Sequence, residues 1–277
     1  MRKYVLPVAL LLGLCAGLAM AEDQPRATTL TYDKGNLLIE DATLSASASI
    51  WDDCPLLAIN QDPTIAMVWE DDFYSYITTQ GGLTSTITNS GAIAISTGIG
   101  GQVNIDASDG TATDNDESYL GSTYLPFVPT AGKDLWFEAR VKLTEANTDD
   151  ANIIVGLSTL YNADAIQDDG AGPPANYDGL VFFKVDGGTV WQTETSSGDG
   201  TQTTNASAGT FTSGTWYRLG IYLEGNTQAT FYINGTSVGS VTATLPDTGL
   251  GLVFGVKNGL TNEENLYVDW FKAVQLH

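Results

Sequence analysis

Residues 214–240, GTWYRLGIYLEGNTQATFYINGTSVGS, decide how this chain folds. Tyr217, Leu219, Ile221 and Leu223 alternate with Trp216, Arg218 and Tyr222, so one face of the segment is apolar and the other is aromatic and charged. That alternation is the signature of a half-buried β-strand. Glu224-Gly225-Asn226 turns the chain, ATFYI returns, and Asn234-Gly235 is a dipeptide that closes tight hairpins.

The same rhythm extends outward from this segment. In DLWFEARVKL, Leu135, Phe137, Ala139, Val141 and Leu143 share a face expected to meet the core, with Trp136, Glu138, Arg140 and Lys142 on the other. NIIVGLS, residues 152–158, is apolar almost throughout, as a central strand covered on both faces would be. GLVFFKVDGGTVWQTET reads as a hairpin turning at Asp186-Gly187-Gly188, and its aromatics, Trp191 included, are expected inside. Strict alternation in the closing NLYVDWFKAVQ puts Leu266, Val268, Trp270 and Val274 on one face, with Tyr267, Asp269, Phe271 and Ala273 opposite. With no long helical period and no repeat of fixed spacing, the pattern predicts an antiparallel all-β protein, sandwich or barrel.

Composition narrows the partners. The chain of 277 residues is 43% hydrophobic, enough for a substantial core, and carries a net charge of −22 from 33 acidic and 11 basic residues. Such a balance argues against nucleic acid or an anionic membrane surface, because phosphate binding needs clustered lysine and arginine. Arg2 and Lys3, the apolar run 5–18 and Ala19-Met20-Ala21 read as a secretory signal over residues 1–21. Its removal would leave Cys54 as the one cysteine, so the mature chain is expected to hold together without an internal disulfide. Residues 22–68, with breaks at Pro55 and Pro63, read as an N-terminal arm or accessory strands; residues 69–277 read as the main sandwich.

The Trp-Tyr-Arg-Leu strand, the FYING hairpin and the closing LYVDWFKAVQ resemble the concanavalin A-like lectin/glucanase superfamily, and are similar to laminin-G-like domains and family 16 glucanases. The resemblance implies a jelly roll of two antiparallel sheets, one of whose faces holds glycan in many relatives. It also implies a test, because family 16-type hydrolysis needs two glutamates on one strand face in a Glu-x-Asp-x-x-Glu pattern. This chain has no such string: Glu138 and Glu145 are separated by Lys142, and the acids of WEDDF are adjacent. His277 is the one histidine and the last residue, which disfavours a Ser-His-Asp triad, a histidine-supported zinc site or a histidine base.

Two surfaces remain as candidates. Trp136, Glu138 and Arg140 on one strand and Trp216, Arg218 and Tyr222 on another could together form a glycan-binding face, with rings stacking on sugars and charges fixing hydroxyls. Asp109, Asp114, Asp116 and Glu117 in one loop are candidate calcium ligands, as are Asp164, Asp168 and Asp169 in another. The expected function is a non-catalytic extracytoplasmic module for surface recognition or assembly, with polysaccharide, glycoconjugate or other surface proteins as partners. A structural phage virion or coat protein and a polysaccharide hydrolase or lyase are the alternatives.

Overall fold

The computed structural model describes residues 29–33, 36–40, 50–77, 81–98, 100–108, 110–145 and 150–277. The expected signal, residues 1–21, lies outside them. The chain divides into two compact units, Met1–Ala48 and Ser49–His277. In the first, β1 (Thr29–Asp33) pairs antiparallel with β2 (Asn36–Glu40).

The second unit begins with a short helix, α1 (Leu56–Gln61), then β3 (Ala66–Asp71), β4 (Leu83–Thr88), β5 (Ala92–Ser96), β6 (Gln102–Asp106) and β7 (Glu117–Ser122). β8 (Leu135–Glu145), β9 (Ala151–Ser158), β10 (Asp178–Lys184), β11 (Val190–Ser197) and β12 (Gln202–Thr210) follow. β13 (Trp216–Glu224), β14 (Gln228–Ile233), β15 (Thr236–Val241), β16 (Gly251–Asn258) and β17 (Glu264–Leu276) complete it. No described helix is long and apolar enough to cross a membrane.

The strands of this unit form two antiparallel sheets, a seven-stranded one ordered β12-β11-β10-β9-β16-β7-β4 and an eight-stranded one ordered β15-β14-β13-β8-β17-β6-β5, with β3 as its eighth strand, paired to β17 beside that path. Neither closes into a barrel, so the sandwich is the outcome. Phe137, Val141, Leu219, Ile221 and Phe231 of the eight-stranded sheet meet Ile153, Val155, Leu157, Phe182 and Phe254 of the other in one buried core. The expected core faces of β8 and β13 hold residue by residue, since Leu135, Phe137, Ala139, Val141 and Leu143 and Tyr217, Leu219, Ile221 and Leu223 all lie in the core, and β9 is buried along its whole length. Asn234 and Gly235 take positive φ, 52° and 81°, as a two-residue hairpin turn of this hand requires.

In β17 strict alternation fails. Val268 pairs with Val141 and Trp270 with Arg140, so Asp269 is an extra residue, a β-bulge. Leu266 and Val268 face the core before it, and Phe271 and Ala273 face the core after it. The insertion reverses the expected parity, so Trp270 and Val274 turn to the outer face of the sheet, and Phe271 and Ala273 turn inward.

Candidate functional site

With the interior filled by the sandwich core, function falls to the outer faces of the two sheets. On the seven-stranded sheet, the segment 159–177 lies over the strands. Its Leu160, Tyr161, Ala165, Ile166 and Tyr177 pack on Tyr119, Ile154, Val181, Phe183 and Val253. Gly255 makes this fit possible, because a Cβ there would stand 2.2 Å from the Tyr119 ring.

The charged groups Glu117, Lys257 and Glu194 at this face are paired. Glu117 accepts from the Tyr119 hydroxyl at 2.8 Å and lies 3.5 Å from Lys257 Nζ, which also reaches Asp164 at 2.7 Å. Burial alone would lower the Lys257 ammonium, but its bond to Asp164 and the Glu117 charge raise it above the ordinary lysine value. Glu194 accepts from Tyr177, Gln202 and Thr204 at 2.8, 2.8 and 2.6 Å. Burial nonetheless raises its carboxyl above the ordinary range. Burial and the adjoining carboxylates push the Tyr119 and Tyr177 hydroxyls well up. These groups are interior, and a ligand would have to displace the cover to touch them.

The outer face of the eight-stranded sheet is covered over one half. Ile50, Cys54, Ile59 and Ala66 are buried against Trp136 and Val274. Burial pushes the Cys54 thiol up to about 11, which suits a packed, unreactive side chain. Gly220 receives the cover, since a Cβ at that position would come within 2.9 Å of Ile50 Cγ2. Trp136 is 1% exposed and stacks on Tyr222 at 5.4 Å between centroids. The Tyr222 hydroxyl donates to Asp134 at 3.0 Å, and burial together with this carboxylate raises its pKa. Of the six candidate glycan residues, then, Trp136 and Tyr222 are engaged in packing. Parity placed them on the outer face, but parity does not report which part of a face another segment covers.

Rows of side chains cross β13, β8 and β17, the first two in the open half and the third at the edge of the cover. Trp216, Lys142 and Tyr267 form one row, Arg218, Arg140 and Trp270 the next, and Gly220, Glu138, Lys272 and, on β3, Glu70 the third. Arg140 is ion-paired with Asp269, and its guanidinium sits 4.4 Å from the centre of the Trp216 ring. Lys142 Nζ lies 4.9 Å from Trp216 and 4.4 Å from Tyr267. Glu138 is buried, accepts from Trp51 Nε1 at 2.8 Å and faces Arg218 Nε at 3.9 Å. Lys272 pairs with Glu70 at 2.8 Å.

Along its other edge β17 pairs with β6 at 265–268 and with β3 from Phe271 onward. The bulge lies at this change of partner. There Trp51, Glu70, Asp71, Asp72, Trp270, Phe271 and Lys272 line an open cavity of about 570 Å³. Two half-buried indoles and four charged side chains thus meet beside Glu138, Arg140, Trp216 and Arg218. Sequence reasoning missed Trp51, Trp270, Lys272 and the Glu70–Asp72 acids. A signal for the covering segment was present in Gly220, a glycine inside a strand of strong β-formers, which marks close approach by another chain segment.

Among the described residues, the expected calcium loops do not gather a set of metal ligands. Asp109 lies outside the described residues. Asp116 is buried and accepts from Asn89 and from the backbone and hydroxyl of Thr113, while its neighbour Glu117 serves Tyr119 and Lys257. Asp114 is exposed; partial desolvation and the charges of Asp168 and Asp169 raise its pKa. Asp164 pairs with Lys257. Among the described residues, no group of three or more His, Cys, Asp or Glu side chains is arranged to hold a metal ion.

Comparison with known proteins places this architecture. Residues 105–269 match the family described as SO2946-like, C-terminal domain; the match spans more than half of the chain, and the chain belongs to that family. No curated protein sequence matches it. Among solved structures, peanut lectin superposes with a TM-score of 0.51 at 10% identity, over 76% of this chain and 98% of the lectin. The endo-β-1,4-glucuronan lyase of the fungus Trichoderma reesei does so at 0.51 and 12% identity, over 74% and 93% of the two chains. An endo-1,3-β-glucanase from Streptomyces sioyaensis gives 0.50 at 13% identity, over 78% and 98%. At such identities the likeness establishes the fold, a concanavalin A-like jelly roll, and leaves function to the site.

Proposed function

We propose that this chain is a non-catalytic extracytoplasmic module that binds polysaccharide in the open half of the eight-stranded sheet's outer face. The observation that carries this reading is the cavity where Trp51 and Trp270 stand with Lys272, Glu70, Asp71 and Asp72. An indole face offers a flat apolar surface to the C–H face of a sugar, and charged groups beside it hold hydroxyls by strong hydrogen bonds. A concave site with aromatic walls and a few convergent polar groups is the general form of a small-ligand site. Trp216, Arg140 and Arg218 extend the same surface along β13 and β8, long enough for more than one sugar unit.

Recognition fits the groove's carboxylates better than catalysis does. Glu138 accepts from Trp51, Asp269 pairs with Arg140 and Glu70 with Lys272, so these three acids serve to position other side chains. Secretion belongs to the same proposal, and N-terminal sequencing of the exported protein should begin near Glu22 if residues 1–21 are a cleaved signal. The reading itself is tested by affinity electrophoresis through gels containing a panel of polysaccharides. Retardation by at least one polymer is the expected result. Uniform mobility throughout would remove it and favour assembly with other surface or virion proteins.

A further inference from the structure

We infer that the polymer bound in this groove is acidic, with the carboxylate of a uronic acid unit received at the Trp216 end; the inference rests on the glycan reading above. Its basis is where the positive charge has gone. The described residues contain seven lysines and arginines. Lys184 is fully buried against Glu145 at 3.0 Å, and Lys257 is buried between Glu117 and Asp164. Lys133 lies in the loop before β8. The remaining four, Arg140, Lys142, Arg218 and Lys272, all rise from three adjacent strands onto the groove face. In a chain of net charge −22, every described lysine and arginine that is neither buried nor in a loop is thus gathered on one face, among the acids Glu70, Asp71, Asp72, Glu138 and Asp269.

Three of the four have carboxylate partners, and Lys142 has none among the described residues. Its ammonium is held between the Trp216 and Tyr267 rings, at 4.9 and 4.4 Å from their centres. Ring faces orient a cation but do not neutralise it. Diagonally across the strand pair stands Arg218, whose side chain is 41% exposed and whose contact with Glu138 is long, 3.9 Å. Diagonal neighbours on paired strands lie about 7–8 Å apart, within reach of long side chains. One carboxylate held over Trp216 can therefore take a charge-assisted hydrogen bond from each of Lys142 and Arg218. At the opposite end Glu70, Asp71 and Asp72 make the wall acidic. The groove is polar along its length, and a chain enters with its uronate over Trp216.

The test uses hyaluronan, alginate and polygalacturonate, each beside its carboxyl-reduced neutral form, with dextran sulfate as a second source of negative charge. The expected result is retention by at least one uronate polymer at least tenfold tighter than by its reduced form. Lys142→Gln, with an unchanged melting curve, should abolish that tenfold difference, while Lys142→Arg should keep most of it. Equal retention of a polymer and its reduced form overturns the inference and leaves glycan binding standing. Retention by dextran sulfate with none by the uronates overturns it too, making sulfate the recognised group. If neither these polymers nor a neutral panel is retained, glycan binding itself fails.

Discussion

On the seven-stranded sheet, residues 159–177 cover the outer face of β7, β16, β9 and β10, and Tyr119, Glu117 and Glu194 are buried there with Tyr177 of the cover. On the eight-stranded sheet, the buried residues from Ile50 to Ala66 cover only the half around Trp136, Val274 and Gly220, with Glu138 buried at its edge, and the rows of Arg218 and Trp216 stay open. Both faces began with the same materials, aromatic rings interleaved with charge. Under this broader cover Glu117 and Lys257 pair with each other and Glu194 is held by Tyr177, so these charges became part of the interior. Under the partial cover Arg140, Arg218 and Lys272 stand in partly exposed pairs and Lys142 between two half-exposed rings. Which side chains of this sandwich stay accessible is therefore set by where a covering segment stops, more than by which residues its strands carry.

The comparison can be broken most forcefully from the closed side. Lys257→Met leaves Glu117 buried without its cation, and removal of one partner of a buried pair costs about 3–5 kcal/mol. Urea titration should show that loss with glycan binding intact in the folded fraction. The pH dependence has a definite sign. Because folding raises the Lys257 pKa above its ordinary 10.5, the pair's contribution is complete below that pH. It is lost as pH rises through the folded value, so alkaline unfolding should carry this step in the wild type and lack it in the variant.

A smaller effect belongs to the partial cover. Gly220→Val drives a side chain into Ile50 and should lift the segment 50–65 from the sheet, costing roughly 1–3 kcal/mol. Increased proteolysis within 50–65 would show it, whereas an unchanged digest would mean that the cover is not seated on β13. Smallest in stability is the open half. Trp216→Ala with Arg218→Ala, both only half-buried, should cost about 1 kcal/mol and abolish polysaccharide retention. Unchanged affinity in the folded double variant would move the site off this end of the groove.

How much of this could be read in the sequence depends on the range of the interaction. Alternation in β8 and β13 is local, so the core faces of Leu135–Leu143 and Tyr217–Leu223 and the two hairpin turns were legible from single segments. The bulge at Asp269 was not, because an inserted residue leaves the composition of a strand unchanged while reversing every later side chain. That single reversal hid Trp270 and Lys272 from the candidate site. Trp51 was hidden for another reason: it meets Glu138 across 87 residues of chain, a distance no periodicity spans. Trp136 and Tyr222 were placed on the right face and in the wrong half of it, since coverage by a distant segment has no local signature beyond Gly220.

The most direct test sets one ring from each face against the other. Trp270→Ala and Tyr161→Ala would be run beside the wild type by affinity electrophoresis in a polysaccharide that retards it, with thermal melts confirming both folds. The account predicts that Trp270→Ala migrates as if the polymer were absent and that Tyr161→Ala is retarded like the wild type. Retention kept by Trp270→Ala and lost by Tyr161→Ala would contradict it, and would place the binding surface under the segment 159–177.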